Sequence, residues 1–284
     1  MYQAGLVLEG GGMKGVYTTG VLDFFLEKGI EFSSVYGVSA GAIHMASYLS
    51  KQKKRSIEIA ADYADSKKYW GVESLLLTGD LFNVETCYHL IPTYLHPYDY
   101  ETFNRYRGKA YSVVTNISTG QAEYMHITDM NRDIDKIRAS ASMPLVSRNV
   151  KIDGAYYLDG GIADSVPIQR SISDGNEKNI VVLTKEEGYR RQQASPLMLA
   201  AVGLRYIRFP RVYEVMRDRA TLYNGTMKYL ARQQACGRAY VIRPKTKSDV
   251  GRVEKDGSKL WALYEQGYRD AREQYEDILR YLES

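Results

Sequence analysis

The chain has 284 residues, 44% hydrophobic and 25% charged, which is enough to bury a sizeable core without disulfides or metals. Its net charge of +4 is too small to argue for a nucleic-acid partner, although it suits contact with an anionic lipid surface. The two cysteines, Cys87 and Cys236, lie far apart in no metal-ligand spacing, so free thiols in a reducing compartment are expected and no metal site is.

Met1 to Gly5 runs straight into an apolar strand, without the basic and apolar regions of a secretory leader. No apolar run is long enough to span a bilayer. A cytoplasmic protein is expected, peripheral at a membrane at most. The 25 tyrosines fit either a wet interface or a core with satisfied hydroxyls.

In chain order, Leu6-Val7-Leu8 reads as a buried strand, followed by the run Gly10-Gly11-Gly12-Met13-Lys14-Gly15. Val16 to Lys28 then predicts a helix, with Val21, Leu22, Phe25 and Leu26 on one face and Gly29 as its stop. Ser34 to Val38 is a second strand, and Ala40 to Leu49 a helix that follows almost without a loop. Lys51 to Lys68 continues as a charged helical stretch, and Leu75 to Pro97 reads as irregular. Ala110–Asn116 and Ala122–His126 form a strand pair about Ser118-Thr119-Gly120, and Asn131 to Ala139 is helical. Val150 to Leu158 is a hairpin about Asp153-Gly154, a strong turn dipeptide. Ile180–Thr184 and Ala239–Ile242 are further strands, and Leu260–Leu282 is a long closing helix. The alternation predicts an α/β sheet. One domain over 1–284 is expected, with its core over about 4–185 and a helical extension over 186–284 that opens with an arginine-rich stretch.

Gly37-Val38-Ser39-Ala40-Gly41 fits G-x-S-x-G at a strand-to-helix turn. Such a turn strains the serine backbone and lifts its hydroxyl above the sheet, and the flanking glycines leave it room. Equally, Ser39 could simply cap the next helix. The three glycines before Met13 place consecutive N–H groups where no side chain obstructs them, as an oxyanion hole requires. Gly10, Gly12 and Gly15 also satisfy a dinucleotide-binding pattern, but the following strand ends without the acid that would hold a ribose. Lys14 precedes Gly15 rather than following it, and no Ser or Thr comes next, so a phosphate-binding loop fails as well. The base is open between two candidates. Of the histidines, His44, His89 and His96 are placed as structural, and His126 at a strand end is the one able to serve. Asp159, followed by Gly160 and Gly161, is an uncrowded carboxylate that could take a serine proton directly.

Taken together, these segments resemble the patatin-like phospholipase family. Gly10 to Gly12 with Lys14 and Gly15 look like its oxyanion loop, Ser39 within Gly37–Gly41 matches its nucleophile elbow, and Asp159-Gly160-Gly161 matches its dyad aspartate. Ala139-Ser140-Ala141-Ser142-Met143-Pro144 is similar to a further family segment. Ser142 stands where alanine is frequent, and Asp164-Ser165 where asparagine is frequent, which touches substrate preference rather than the dyad. The resemblance covers roughly Leu6 to Pro167. It implies a three-layer α/β/α fold around a mostly parallel sheet, and hydrolysis of lipid acyl esters by Ser39 and Asp159 without metal or cofactor. Gly10, Gly11, Gly12 and Ala40 would hold the oxyanion. Leu75–Leu77, Leu81, Phe82 and Tyr94–Tyr100 are candidates for an acyl groove or lid. Two alternatives remain on this scaffold, a non-catalytic lipid- or nucleotide-binding module and an acyltransferase.

Overall fold

The structure, a computed structural model, describes residues 1–284. Its strands are β1 (Tyr2–Leu8), β2 (Phe32–Val38), β3 (Lys109–Asn116), β4 (Ala122–Ile127), β5 (Val150–Ile152), β6 (Ala155–Asp159), β7 (Asn179–Val182) and β8 (Tyr240–Ile242). The helices begin with α1 (Val16–Glu27), α2 (Ala40–Leu49), α3 (Arg55–Asp62), α4 (Val72–Thr78), α5 (Tyr100–Asn104) and α6 (Met130–Ser140). They continue with α7 (Ile168–Ser173), α8 (Pro196–Arg205), α9 (Pro210–Ala235), α10 (Gly257–Glu273) and α11 (Tyr275–Glu283).

Successive strand residues face opposite sides of a sheet, and here both sides are apolar. Leu6 and Leu8 of β1 join a core with Val21, Phe25, Met45 and Leu263, whereas Val7 joins Tyr36, Ile168, Tyr223 and Leu230. Helices α1, α2 and α10 therefore cover one face and α7 and α9 the other, in the three-layer arrangement that near-continuous apolar strands demand. The eight strands run in the order β5-β6-β3-β2-β1-β7-β8, with β4 also paired to β3. The β3-β2-β1-β7-β8 pairings are parallel and those of β4, β5 and β6 antiparallel.

The register along β3 places the site. Val113 pairs with Val38 of β2 and with Tyr124 of β4, while Val114 pairs with Asp159 of β6 and with Glu123 of β4. A strand residue has one neighbour on each edge, so β2 and β6 share one edge of β3 and β4 takes the other. Running in opposite directions, β2 and β6 end at adjacent positions. Residues 39 and 159 thus meet at a junction between two strand ends.

The region after β7 is woven into the same layers. β8 extends the sheet beside β7, and α10 lies against α1. A methyl group on Gly20 would stand 2.1 Å from the Tyr264 carbonyl oxygen, and one on Gly267 2.0 Å from that of Tyr17, so the two helices touch backbone to backbone. Two reciprocal pairs lock them. The Tyr17 hydroxyl donates to Asp270 at 2.9 Å and the Tyr264 hydroxyl to Asp23 at 3.0 Å.

Three stretches depart from the sequence expectation. The charged helix over Lys51–Lys68 is limited to α3, because Lys51 and Lys54 adopt left-handed φ values of 57° and 65° and end the α2 run. Leu75–Pro97 is helical over most of its length rather than irregular. Gly71 and Gly79 bracket α4, and Thr86–Leu95 forms a wide π-type helix that accommodates Pro92. The closing helix is two helices that part at Gln274, whose side chain donates to the Asp270 carbonyl at 2.8 Å while Tyr275 packs edge-on against Phe24. No helix is long and apolar enough to cross a membrane.

Candidate active site

Ser39, between the end of β2 and the start of α2, has a backbone conformation of φ 55° and ψ −123°. For a non-glycine residue this costs about 1–3 kcal/mol and persists only when the surroundings impose it. One such contact is visible. The Ser39 amide donates to Ser140 Oγ at 2.9 Å, and that hydroxyl donates to the Val113 carbonyl at 2.6 Å. The end of α6 also holds the partner strand, since the Asp159 amide donates to the Ser142 carbonyl at 2.8 Å. A single segment, Ser140 to Ser142, therefore clasps both strand ends. Nothing in the sequence marked that role beyond the segment's family likeness.

The Asp159 side chain is 1% exposed. Its Oδ1 accepts from the Gly161 amide at 2.7 Å, and the Thr115 hydroxyl steadies its carbonyl at 2.8 Å. Oδ2 is buried with no hydrogen-bond partner of good geometry, while the Ser39 side chain lies close enough to lower the carboxyl's pKa. Long or poorly aligned contacts of this kind are common in unliganded sites. Burial pushes the Asp159 pKa up, and Ser39, the Arg219 guanidinium, the Gly161 amide and Arg191 oppose that rise.

The glycine run turns beside Ser39. A Cβ on Gly10 would stand 2.8 Å from Ser39 Cβ, so only glycine permits the loop to approach so near. The amides of Gly10, Gly11 and Gly12 donate none of the turn and loop hydrogen bonds of the protein. Gly15, Gly37 and Gly41 line the same turn and elbow, Ala40 opens α2, and Gly160 and Gly161 carry the chain away from Asp159. Lys14 is half-buried at the loop's end.

The loop is tied down by a residue that the motifs did not include. Glu9, fully buried, accepts from the Thr184 amide at 2.6 Å, from the Thr184 hydroxyl at 3.0 Å and from the Tyr223 hydroxyl at 2.9 Å. Its partners are 175 and 214 residues away, so no local pattern could have indicated the network. Arg219 escaped the motifs for the same reason. Its Nε donates to the Gly161 carbonyl at 2.7 Å.

No histidine hydrogen-bonds to Ser39 or Asp159. His44 is buried, and neither ring nitrogen has a partner; burial lowers its pKa to about 4 and keeps it neutral. His126 lies on β4, across β3 from Asp159, with its ring 5.2 Å from that of Tyr111. His96 stands 3.7 Å from Asp62, and His89 lies within the Thr86–Leu95 helix. No three His, Cys, Asp or Glu side chains gather as a metal site. Asp164, at one of the family departures, accepts from the Tyr124 hydroxyl at 2.7 Å. The polar clefts beside Arg132 and Lys151, and beside Thr119 and Arg211, include neither Ser39 nor Asp159.

A model of a domain of unknown function (DUF6363) matches residues 209–283. The uncharacterized protein YjjU of Escherichia coli (strain K12) is 27% identical over 183 residues, 63% of this chain and 51% of that protein. The probable lipid hydrolase 463L of Invertebrate iridescent virus 6 is 26% identical over 192 residues, 63% of this chain and 66% of that protein. The chain thus spans about half the length of the first relative and 66% of the second. Among solved structures, VipD from Legionella pneumophila aligns over 98% of this chain and 67% of its own, with 13% identity and a TM-score of 0.47. The patatin-like phospholipase family model matches residues 6–171. That match takes in the glycine run, the elbow and Asp159 and exceeds half of the chain, which therefore belongs to the patatin-like phospholipase family.

Proposed function

We propose that the protein is a lipid acyl hydrolase with Ser39 as nucleophile and Asp159 as base. The family match and the relative named a probable lipid hydrolase support acyl-ester chemistry on lipids. One observation carries the residue roles: a strained serine at the end of β2 beside a buried carboxylate whose Oδ2 has no partner.

In this reaction Asp159 Oδ2 accepts the Ser39 Oγ proton as Oγ adds to the ester carbonyl. Burial raises the carboxyl pKa and makes it a stronger base, while the neighbouring guanidiniums favour the ionised form from which it must start. The N–H groups of Gly10, Gly11 and Gly12, with that of Ala40 at the start of α2, receive the developing oxyanion. Collapse breaks the ester C–O bond, and the leaving alcohol takes the proton from Asp159. Asp159 then removes a proton from water, the resulting hydroxide attacks acyl-Ser39, and the fatty acid leaves as Ser39 Oγ is reprotonated.

Lipid would approach over the segment that follows Ser142. Leu145 of that segment packs beside Val202 and Tyr206 of the α8 side, and the Leu81 amide after α4 donates to the Val146 carbonyl at 2.8 Å. Leu76 and Leu77 on α4 are about 80% exposed, as are Leu197 and Leu204 on α8. Apolar side chains left in water on two helices flanking one segment suit transient contact with a membrane surface.

A fluorophosphonate probe tests the assignment. The wild-type protein should be labelled at Ser39 and hydrolyse short-chain esters, and Ser39→Ala should do neither. A wild-type protein that neither labels nor turns over ester would be a binding module instead. Product analysis with glycerol or lysolipid present distinguishes hydrolysis from acyl transfer.

A further inference from the structure

Five cationic residues lie around the glycine run and the turn after Asp159, Arg252 through its backbone with its side chain exposed, and four of them follow β7. Lys185 Nζ donates to Thr184 Oγ1 at 3.1 Å, and the same hydroxyl reaches the Gly10 carbonyl at 2.9 Å. The Arg252 carbonyl accepts from the Met13 amide at 3.0 Å and lies 2.5 Å from where a Gly12 Cβ would stand, at a glycine of φ 59°. Arg219 holds the Gly161 carbonyl. Arg191 lies 4.5 Å from the centre of the Tyr223 ring, whose hydroxyl bonds Glu9. Lys14 belongs to the loop itself.

None of the five has a carboxylate within salt-bridge distance, since every ion pair in the protein uses other residues. Arg191 Nε is buried without any partner. The group is also self-repelling. Burial lowers the Lys185 pKa, Glu9 opposes that fall, and Lys14, Arg191 and Arg252 add to it; Arg219 falls to about 10 through burial and the charges of Arg191 and Arg252, which Asp159 opposes. Glu9 and Asp159 are the carboxylates that face the group, and each is already engaged, Glu9 by Thr184 and Tyr223 and Asp159 by the Gly161 amide. The cations outnumber them, and an anion entering among them would offset the repulsion.

We propose that Lys185, Arg191, Arg219 and Arg252 form the subsite for a phosphate on a lipid whose head group is net negative, beside the ester presented to Ser39. Guanidinium groups take phosphate oxygens through paired, charge-assisted bonds. A zwitterionic head group would bring its own cation into the cluster and be disfavoured, as would a neutral glyceride that leaves the cations unpaired. None of the four residues lies within the 6–171 match to the family model, so the selectivity is supplied by the part of the chain outside it. The assignment rests on the Ser39 reading for the position of the ester, while anion binding itself does not require catalysis.

The test therefore uses Ser39→Ala protein, which leaves its ligands intact. Calorimetry compares hexanoyl-glycerol 3-phosphate, hexanoyl-glycerol and inorganic phosphate, with and without the paired changes Lys185→Gln and Arg252→Gln. The phosphorylated lipid should bind at least about tenfold tighter than the neutral one, as expected for a charge-assisted contact. That advantage should shrink to within about twofold in the double variant and return with Lys185→Arg and Arg252→Lys. Inorganic phosphate should compete only weakly, since it lacks the acyl chain. Equal binding of charged and neutral lipids, an advantage unchanged by the double variant, or free phosphate binding as tightly as the phosphorylated lipid would each overturn the proposal. Failure of fluorophosphonate labelling would remove the hydrolase reading and leave these binding results standing.

Discussion

The region up to α7 and the region after β7 act on the candidate site by different means. The first positions the candidate reactive groups through backbone geometry. Ser39 is fixed by a strained turn and an amide hydrogen bond to Ser140, the glycine run by its closeness to Ser39, and Asp159 by the pairing of β6 with β3. The second reaches in with side chains. Tyr223 and Thr184 hold Glu9, Arg219 holds the Gly161 carbonyl, and Lys185, Arg191 and Arg252 set the local charge. Reactivity and electrostatics are thus supported by separate parts of the chain and can be disturbed separately.

The sharpest way to break this division is at the base. Asp159→Asn should lower kcat on a short-chain nitrophenyl ester by about 10⁴-fold, the scale on which an essential triad carboxylate acts, while His126→Ala stays within about twofold. The opposite ranking would move the proton-accepting role to β4.

A smaller effect tests how firmly the later region is joined to the earlier one. Gly267→Val places side-chain carbon where the Tyr17 carbonyl already stands, and should destabilise the fold by about 3 kcal/mol through overpacking. A thermal melt should show a drop of several degrees. An unchanged melting temperature would mean that α10 can shift away from α1 without loss.

The mildest effect probes the polar lock between the same helices. Burial raises the Asp23 pKa from 3.8 to about 6, so the folded protein binds a proton there that the unfolded chain has released. Stability from this group is therefore present at low pH and lost as pH rises between about 4 and 6, by on the order of 2 kcal/mol. Asp159, Asp164 and Asp270 are shifted in the same direction, so part of the slope remains in any single variant. Asp23→Asn should flatten the dependence of the melting temperature on pH over that interval, and a slope identical to wild type would show that Asp23 ionises freely.

Much of the first region is legible in its residues because each device there is short. Glycine and serine at fixed offsets dictate the elbow, and Asp153-Gly154 dictates its hairpin through the left-handed φ values of both residues. Leu75–Pro97, which holds Pro92 and Pro97, read as irregular although part of α4 and a wide helix form there. The break at Gln274 was equally hidden, since the apolar pattern continues across it.

By itself, then, the sequence determined the alternating α/β order, the strained turn at Ser39, the glycine run and the aspartate before Gly160, all of them consequences of backbone preferences spanning a few residues. Only the tertiary structure decided that β2 and β6 end side by side on one edge of β3, that Glu9 is gripped by Thr184 and Tyr223, and that unpaired cations gather at the glycine run. Those facts depend on packing between segments far apart in the chain, where burial and charge act through space and leave no local spacing to read.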